Sequence, residues 1–62
     1  MRKLIYKITE ESNTYGLEFI TDRTPEWTEQ QYIRHRSNIT MQLVSNEETT
    51  EEEPISREVN LG

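Results

Sequence analysis

The stretch KLIYKITEESNTYGLEFI, from Lys3 to Ile20, decides the fold. Leu4, Tyr6 and Ile8 alternate with Lys3, Lys7 and Thr9, and Ile5 falls on the second set. Period-2 alternation with one side more apolar is the mark of a half-buried strand. Glu10-Glu11-Ser12-Asn13 supplies turn residues, and Tyr15, Leu17 and Phe19 then alternate with Gly16, Glu18 and Ile20. Two alternating runs across a short polar stretch predict a β-hairpin.

Working outward, Thr24-Pro25-Glu26 reads as a helix start. Thr24 can cap, Pro25 lacks an N–H where none is needed, and Glu26 complements the positive end of the helix dipole. The helix is expected from Pro25 to Arg36, with Trp27, Gln30 and Ile33 on one face and Ser37-Asn38 ending it. Ile39, Met41 and Leu43 alternate with Thr40, Gln42 and Val44, which predicts a third strand. The fold class is therefore α+β: a single small β-β-α-β domain, a three-stranded sheet with one helix on one face. Its expected core is Leu4, Tyr6, Ile8, Tyr15, Leu17, Phe19, Trp27, Ile33, Ile39, Met41 and Leu43. Eleven side chains are a small core, so self-association or a partner is the natural source of further burial.

The net charge of −5 is unevenly spread. Through Ser45, Arg2, Lys3, Lys7, Arg23, Arg34 and Arg36 balance Glu10, Glu11, Glu18, Asp22, Glu26 and Glu29. From Asn46 onward, Glu47, Glu48, Glu51, Glu52, Glu53 and Glu58 stand against Arg57 alone. Like-charge runs repel and stay extended. This divides the chain into a compact domain, 1–45, and an acidic, flexible tail, 46–62. Within the tail, the segment 55–61 alternates Ile55, Arg57, Val59 and Leu61 with Ser56, Glu58 and Asn60. That pattern fits a short edge strand on the domain's own sheet, a strand added to a partner's sheet, or an untied terminus.

Composition excludes several functions. The 62 residues contain no cysteine and one histidine, so no disulfide scaffold, thiolate metal site or clustered zinc ligand set is available. No cofactor is expected, since Gly16 and Gly62 are the only glycines and no phosphate-cradling loop can be written. No apolar run approaches the ~20 residues of a membrane span or the h-region of a signal peptide, which makes the cytoplasm the expected compartment. Asn38-Ile39-Thr40 has the form of a glycosylation sequon, a chance match in that compartment. Catalysis is not expected: His35 sits between two arginines with no orienting carboxylate beside it, and the paired glutamates are those of an acidic surface.

Binding is what remains. Arg34, His35 and Arg36, with Lys3 and Lys7, form the one candidate nucleic-acid patch, but a pI of about 4.7 is far from a basic footprint. A protein partner fits better. The candidate contacts are the acidic residues Glu51, Glu52 and Glu53, the apolar Ile55, Val59 and Leu61 beyond them, and Trp27 with Arg34 and Arg36 on the helix. Trp27, the only tryptophan, serves either as a core anchor or as a hot spot of an interface. A sheet edge offers a second route, to a homodimer.

The β-β-α-β order of residues 1–45, the small size and the lack of a catalytic constellation resemble small bacteriophage host-takeover proteins, the phage inhibitors of bacterial RNA polymerase among them. That resemblance implies a non-enzymatic inhibitor or modulator of a host protein in the host cytoplasm: a transcription, nucleic-acid-processing or defence factor. The competing expectations are an accessory subunit of a larger assembly and a nucleic-acid module built on Arg34, His35 and Arg36.

Overall fold

A computed structural model describes residues 1–61 of the chain. Its elements are β1 (Arg2–Glu10), β2 (Asn13–Thr21), α1 (Pro25–Ile33), β3 (Ile39–Glu48) and β4 (Ile55–Val59). The hairpin forms in the register that the alternation demands: Leu4 faces Phe19, Tyr6 faces Leu17 and Ile8 faces Tyr15. Its loop is only Glu11-Ser12, with Glu11 in the left-handed region at φ 57°. The Glu11 N–H donates to the Asn38 carbonyl at 3.2 Å, which ties the hairpin tip to the start of β3.

The sheet has four strands, not three, in the order β3-β1-β2-β4, and every neighbouring pair is antiparallel. The extra strand is the alternating part of the tail. Ile55 lies on the rung of Ile20, Arg57 on that of Glu18 and Val59 on that of Gly16. These rungs lie on the face away from the helix, since Tyr15, Leu17 and Phe19 occupy the other set. Gly16 permits the fit: a Cβ there would stand 2.6 Å from Leu61 Cγ and 2.7 Å from the Val59 carbonyl. Leu61 thus continues the line of β4 by lying over a residue with no side chain.

Strand β3 runs past Asn46 to Glu48, into the acidic stretch. Its last rungs pair unlike charges, Lys3 with Glu47 and Arg2 with Glu48, the latter as an ion pair at 3.6 Å. Between the Tyr6–Leu43 and Ile5–Ser45 rungs, Val44 is an extra residue, a β-bulge. Helix α1 begins as its sequence dictates, with Thr24 Oγ1 accepting the Trp27 N–H at 3.1 Å and Pro25 in the first turn. It ends a turn earlier than Arg36. The Arg36 N–H donates to the Ile33 carbonyl in a tightened turn, and Asn38 turns left-handed at φ 57°.

Leu4, Tyr6, Ile8 and Leu17 form the buried cluster, with Tyr15, Phe19, Tyr32, Ile39 and Met41 packed against it half-buried. Ile33 is half-buried too. Two expected core residues are not core: Trp27 is 44% exposed and Leu43 39% exposed. Thr28, one residue on, is the position α1 turns inward, so Trp27 is rotated out of the interface. Leu43 lies on the outermost strand, where no neighbour covers it on one side. Conversely, Ile20 is buried, on the rung that it shares with Ile55 of β4.

Filling the space above Gly16 is expected to strip β4 from the sheet. Gly16→Val should destabilise the fold by about 1–3 kcal/mol through overpacking. Thermal melting would show the loss, and amide exchange should accelerate in residues 55–59 more than in β1. Leu61→Ala should relieve part of the milder Gly16→Ala penalty and leave the share due to the Val59 carbonyl.

Candidate functional site in the cleft between α1 and β4

The sheet face that carries the helix is floored by aromatic side chains. The Tyr6 ring meets Phe19 edge to face at 5.9 Å, and Phe19 meets Tyr32 of α1 in the same way at 5.8 Å. Hydroxyls then lock this row. Tyr6 donates to Glu29 Oε2 at 2.9 Å, with the Pro25 carbonyl a second acceptor at 3.2 Å. Tyr15 donates to Glu10 Oε1 at 3.1 Å and, having one proton, accepts from the Tyr32 hydroxyl at 2.7 Å. Burial and then the Glu29 bond push the Tyr6 hydroxyl well above the usual tyrosine range. Burial, followed by the Tyr32 bond, does the same to Tyr15.

Beside this floor, α1 and the start of β4 enclose an open cleft of about 440 Å³. It is lined by Phe19 and Ile20 of β2, by Trp27, Thr28, Gln31 and Tyr32 of α1, and by Pro54, Ile55 and Ser56 at the start of β4. Its volume lies within the range of small-molecule and side-chain pockets. Two arginines attend its aromatic groups. The Arg23 guanidinium sits 4.9 Å from the Trp27 ring centroid. That of Arg36 sits 3.9 Å from the Tyr32 centroid and donates to the Tyr32 carbonyl at 2.7 Å. Each stack fixes a flexible cation over an aromatic face. Among the described residues, no carboxylate lines the cleft, although the chain has 12 acidic residues.

The fold therefore brings Trp27, Arg36 and Ile55 together at one place. It separates the other candidates. Val59 and Leu61 lie by a second hollow of about 500 Å³, beside Lys7 and Gly16. Glu51 approaches Arg57 at 3.8 Å, and Arg57 is bound chiefly to the buried carboxylate of Glu18. Glu52 and Glu53 are exposed in the connection between β3 and β4. Arg34 caps the helix end and is exposed, as are His35 and Arg36, and the Arg36 guanidinium turns back onto Tyr32. Among the described residues, no group of three or more metal-ligating side chains is assembled. None of their helices is long and apolar enough to cross a membrane.

Phe19, Gln31, Tyr32 and Arg23 belong to the cleft or its rim, and sequence reasoning did not select them. One signal was available: an arginine four residues from an aromatic at each end of the helix, Arg23 before Trp27 and Arg36 after Tyr32. No family model, curated protein or solved structure matches the chain.

The tyrosine locks give an alkaline signature. Because the folded state holds the Tyr6 and Tyr15 protons more tightly than the unfolded chain, their contribution to stability is complete below pH about 10, the ordinary tyrosine value, and fades as pH rises beyond it. Urea midpoints measured across that range should fall with pH. The fall should be shallower in Tyr6→Phe and Tyr15→Phe, each itself less stable at neutral pH by about 1 kcal/mol for the lost hydrogen bond.

Proposed function

We propose that the chain is a non-enzymatic protein-binding module whose recognition site is the cleft between α1 and β4. The observation that carries this reading is the exposure of the only tryptophan, 44%, at the rim of an apolar cleft. A Trp left half in water on a domain with so few buried apolar side chains is a recurrent feature of interface hot spots. The cleft's chemistry specifies the partner segment. Phe19, Tyr32 and Trp27 suit an aromatic or branched apolar side chain, and the guanidinium of Arg36 suits a carboxylate beside it. Among the described residues no carboxylate lines the cleft, and the nearest one at its rim, Asp22, is paired with Arg23 at 3.8 Å.

The narrower reading, a phage-encoded inhibitor acting in the host cytoplasm, draws its support from small size and the β-β-α-β order of residues 1–48. The fourth strand is an addition to that order. An accessory role in a larger assembly is favoured by one further observation: among the described residues, the buried apolar side chains are Leu4, Tyr6, Ile8, Leu17 and Ile20. In that case the partner supplies the remaining cover.

The test is affinity capture from a bacterial lysate with the full chain, its Trp27→Ala variant and a Glu51, Glu52, Glu53→Gln variant, after circular dichroism shows all three folded. A protein retained by the full chain and weakened about thirtyfold by Trp27→Ala, a hot-spot effect of about 2 kcal/mol, is the expected result. Retention indifferent to Trp27 but lost with the three glutamates would move recognition to the acidic connection and overturn the cleft reading.

A further inference from the structure

The sheet has two open edges, and they are built differently. Strand β4 is five residues long, follows Pro54 and carries Arg57 and Glu58. Short length, proline and charge are the usual protections of an edge against pairing. Strand β3, on the other edge, is ten residues long, and from Ser37 to Asn46 there is no charged residue and no proline. Its outer side keeps a row of unpaired backbone groups, with Leu43 39% and Val44 56% exposed. The bulge at Val44 is its one protective irregularity.

We infer that β3 pairs with the β3 of a second copy of this chain, antiparallel about a two-fold axis, to make a continuous eight-stranded sheet. The charge pattern selects this occupant. The uncharged stretch is flanked by Arg34-His35-Arg36 before it and Glu47-Glu48 after it. Antiparallel pairing brings the acidic end of each strand to the basic turn ahead of the other. Parallel pairing would set Glu47 and Glu48 against their own copies. Arg34 is exposed and makes no ion pair among the described residues, so it is available for that contact. The same pairing places Met41 and Leu43 of the two copies side by side on the helix-bearing face and covers the half-buried side of each core. A two-fold interface needs such a self-complementary surface, and this edge is one. The inference is independent of the cleft, which lies at the opposite side of the sheet.

Sedimentation velocity on the full chain, from about 10 µM to 1 mM, is the test, a range suited to a small interface. The weight-average mass is expected to rise from 7.4 kDa toward twice that value. Val44→Lys and Thr40→Lys, both at exposed positions, should each raise the dissociation constant at least about tenfold while circular dichroism stays unchanged. Arg34→Glu should weaken the dimer, and Arg34→Lys should keep it. Trp27→Ala should leave it alone. A chain that stays monomeric at every concentration overturns the inference. So does a dimer indifferent to both Val44→Lys and Thr40→Lys.

Discussion

Everything on the helix side of this molecule depends on how Tyr6 is held. The residue is fully buried on the central strand β1, its ring meets Phe19, and its hydroxyl bonds to Glu29 and approaches the Pro25 carbonyl. Helix α1, PEWTEQQYI, has no continuous apolar stripe with which to dock. The helix is attached instead by tyrosine chemistry, with Tyr6 gripping its first turns and the Tyr32–Tyr15–Glu10 chain of hydroxyls its last. Such bonds are directional, and so they fix the rotation of the helix as well as its place. That rotation turns Thr28 inward and leaves Trp27 outside, which creates the cleft.

The two faces of the sheet are held by different means. On the helix side, aromatic rings interlock. On the other, a buried carboxylate is answered by a guanidinium: Glu18, 5% exposed, is bound by Arg57 across the β2–β4 rung. Loss of Arg57 would strand a charge, while loss of both partners to apolar residues would cost far less. The acidic stretch after Asn46 is likewise not uniform. Glu47 and Glu48 are drawn into the sheet opposite Lys3 and Arg2, Glu51 leans toward Arg57, and Glu52 and Glu53 face water.

The hairpin, the helix start at Thr24-Pro25 and the third strand were legible in the sequence because each is a local pattern: period-2 alternation, a cap with its proline, a polar turn. The alternation of Ile55, Arg57 and Val59 was legible as a strand, but not its destination, since that depends on the non-local fit of Leu61 over Gly16 and of Arg57 onto Glu18. Trp27 misled as a core residue because hydrophobicity speaks for burial, whereas tyrosine hydroxyls set the rotation of the helix. Of the cleft, Trp27, Arg36 and Ile55 were readable singly. Their meeting was not, because α1 and β4 are joined there only through the fold.

Strand order also has a consequence in time. Strand β4 leaves the ribosome after the three other strands of the sheet, and it pairs with β2, whose other neighbour is β1. Until residues 55–59 arrive, the outer edge of β2 is open and the Glu18 carboxylate lacks Arg57. A nascent chain at that stage presents a slot shaped for a strand of alternating apolar and basic residues. The six-residue connection from Thr49 to Pro54, which carries three glutamates, is what delivers the chain's own copy of that strand first. Its short length acts as a tether that keeps the local concentration of β4 high, so the slot closes from within.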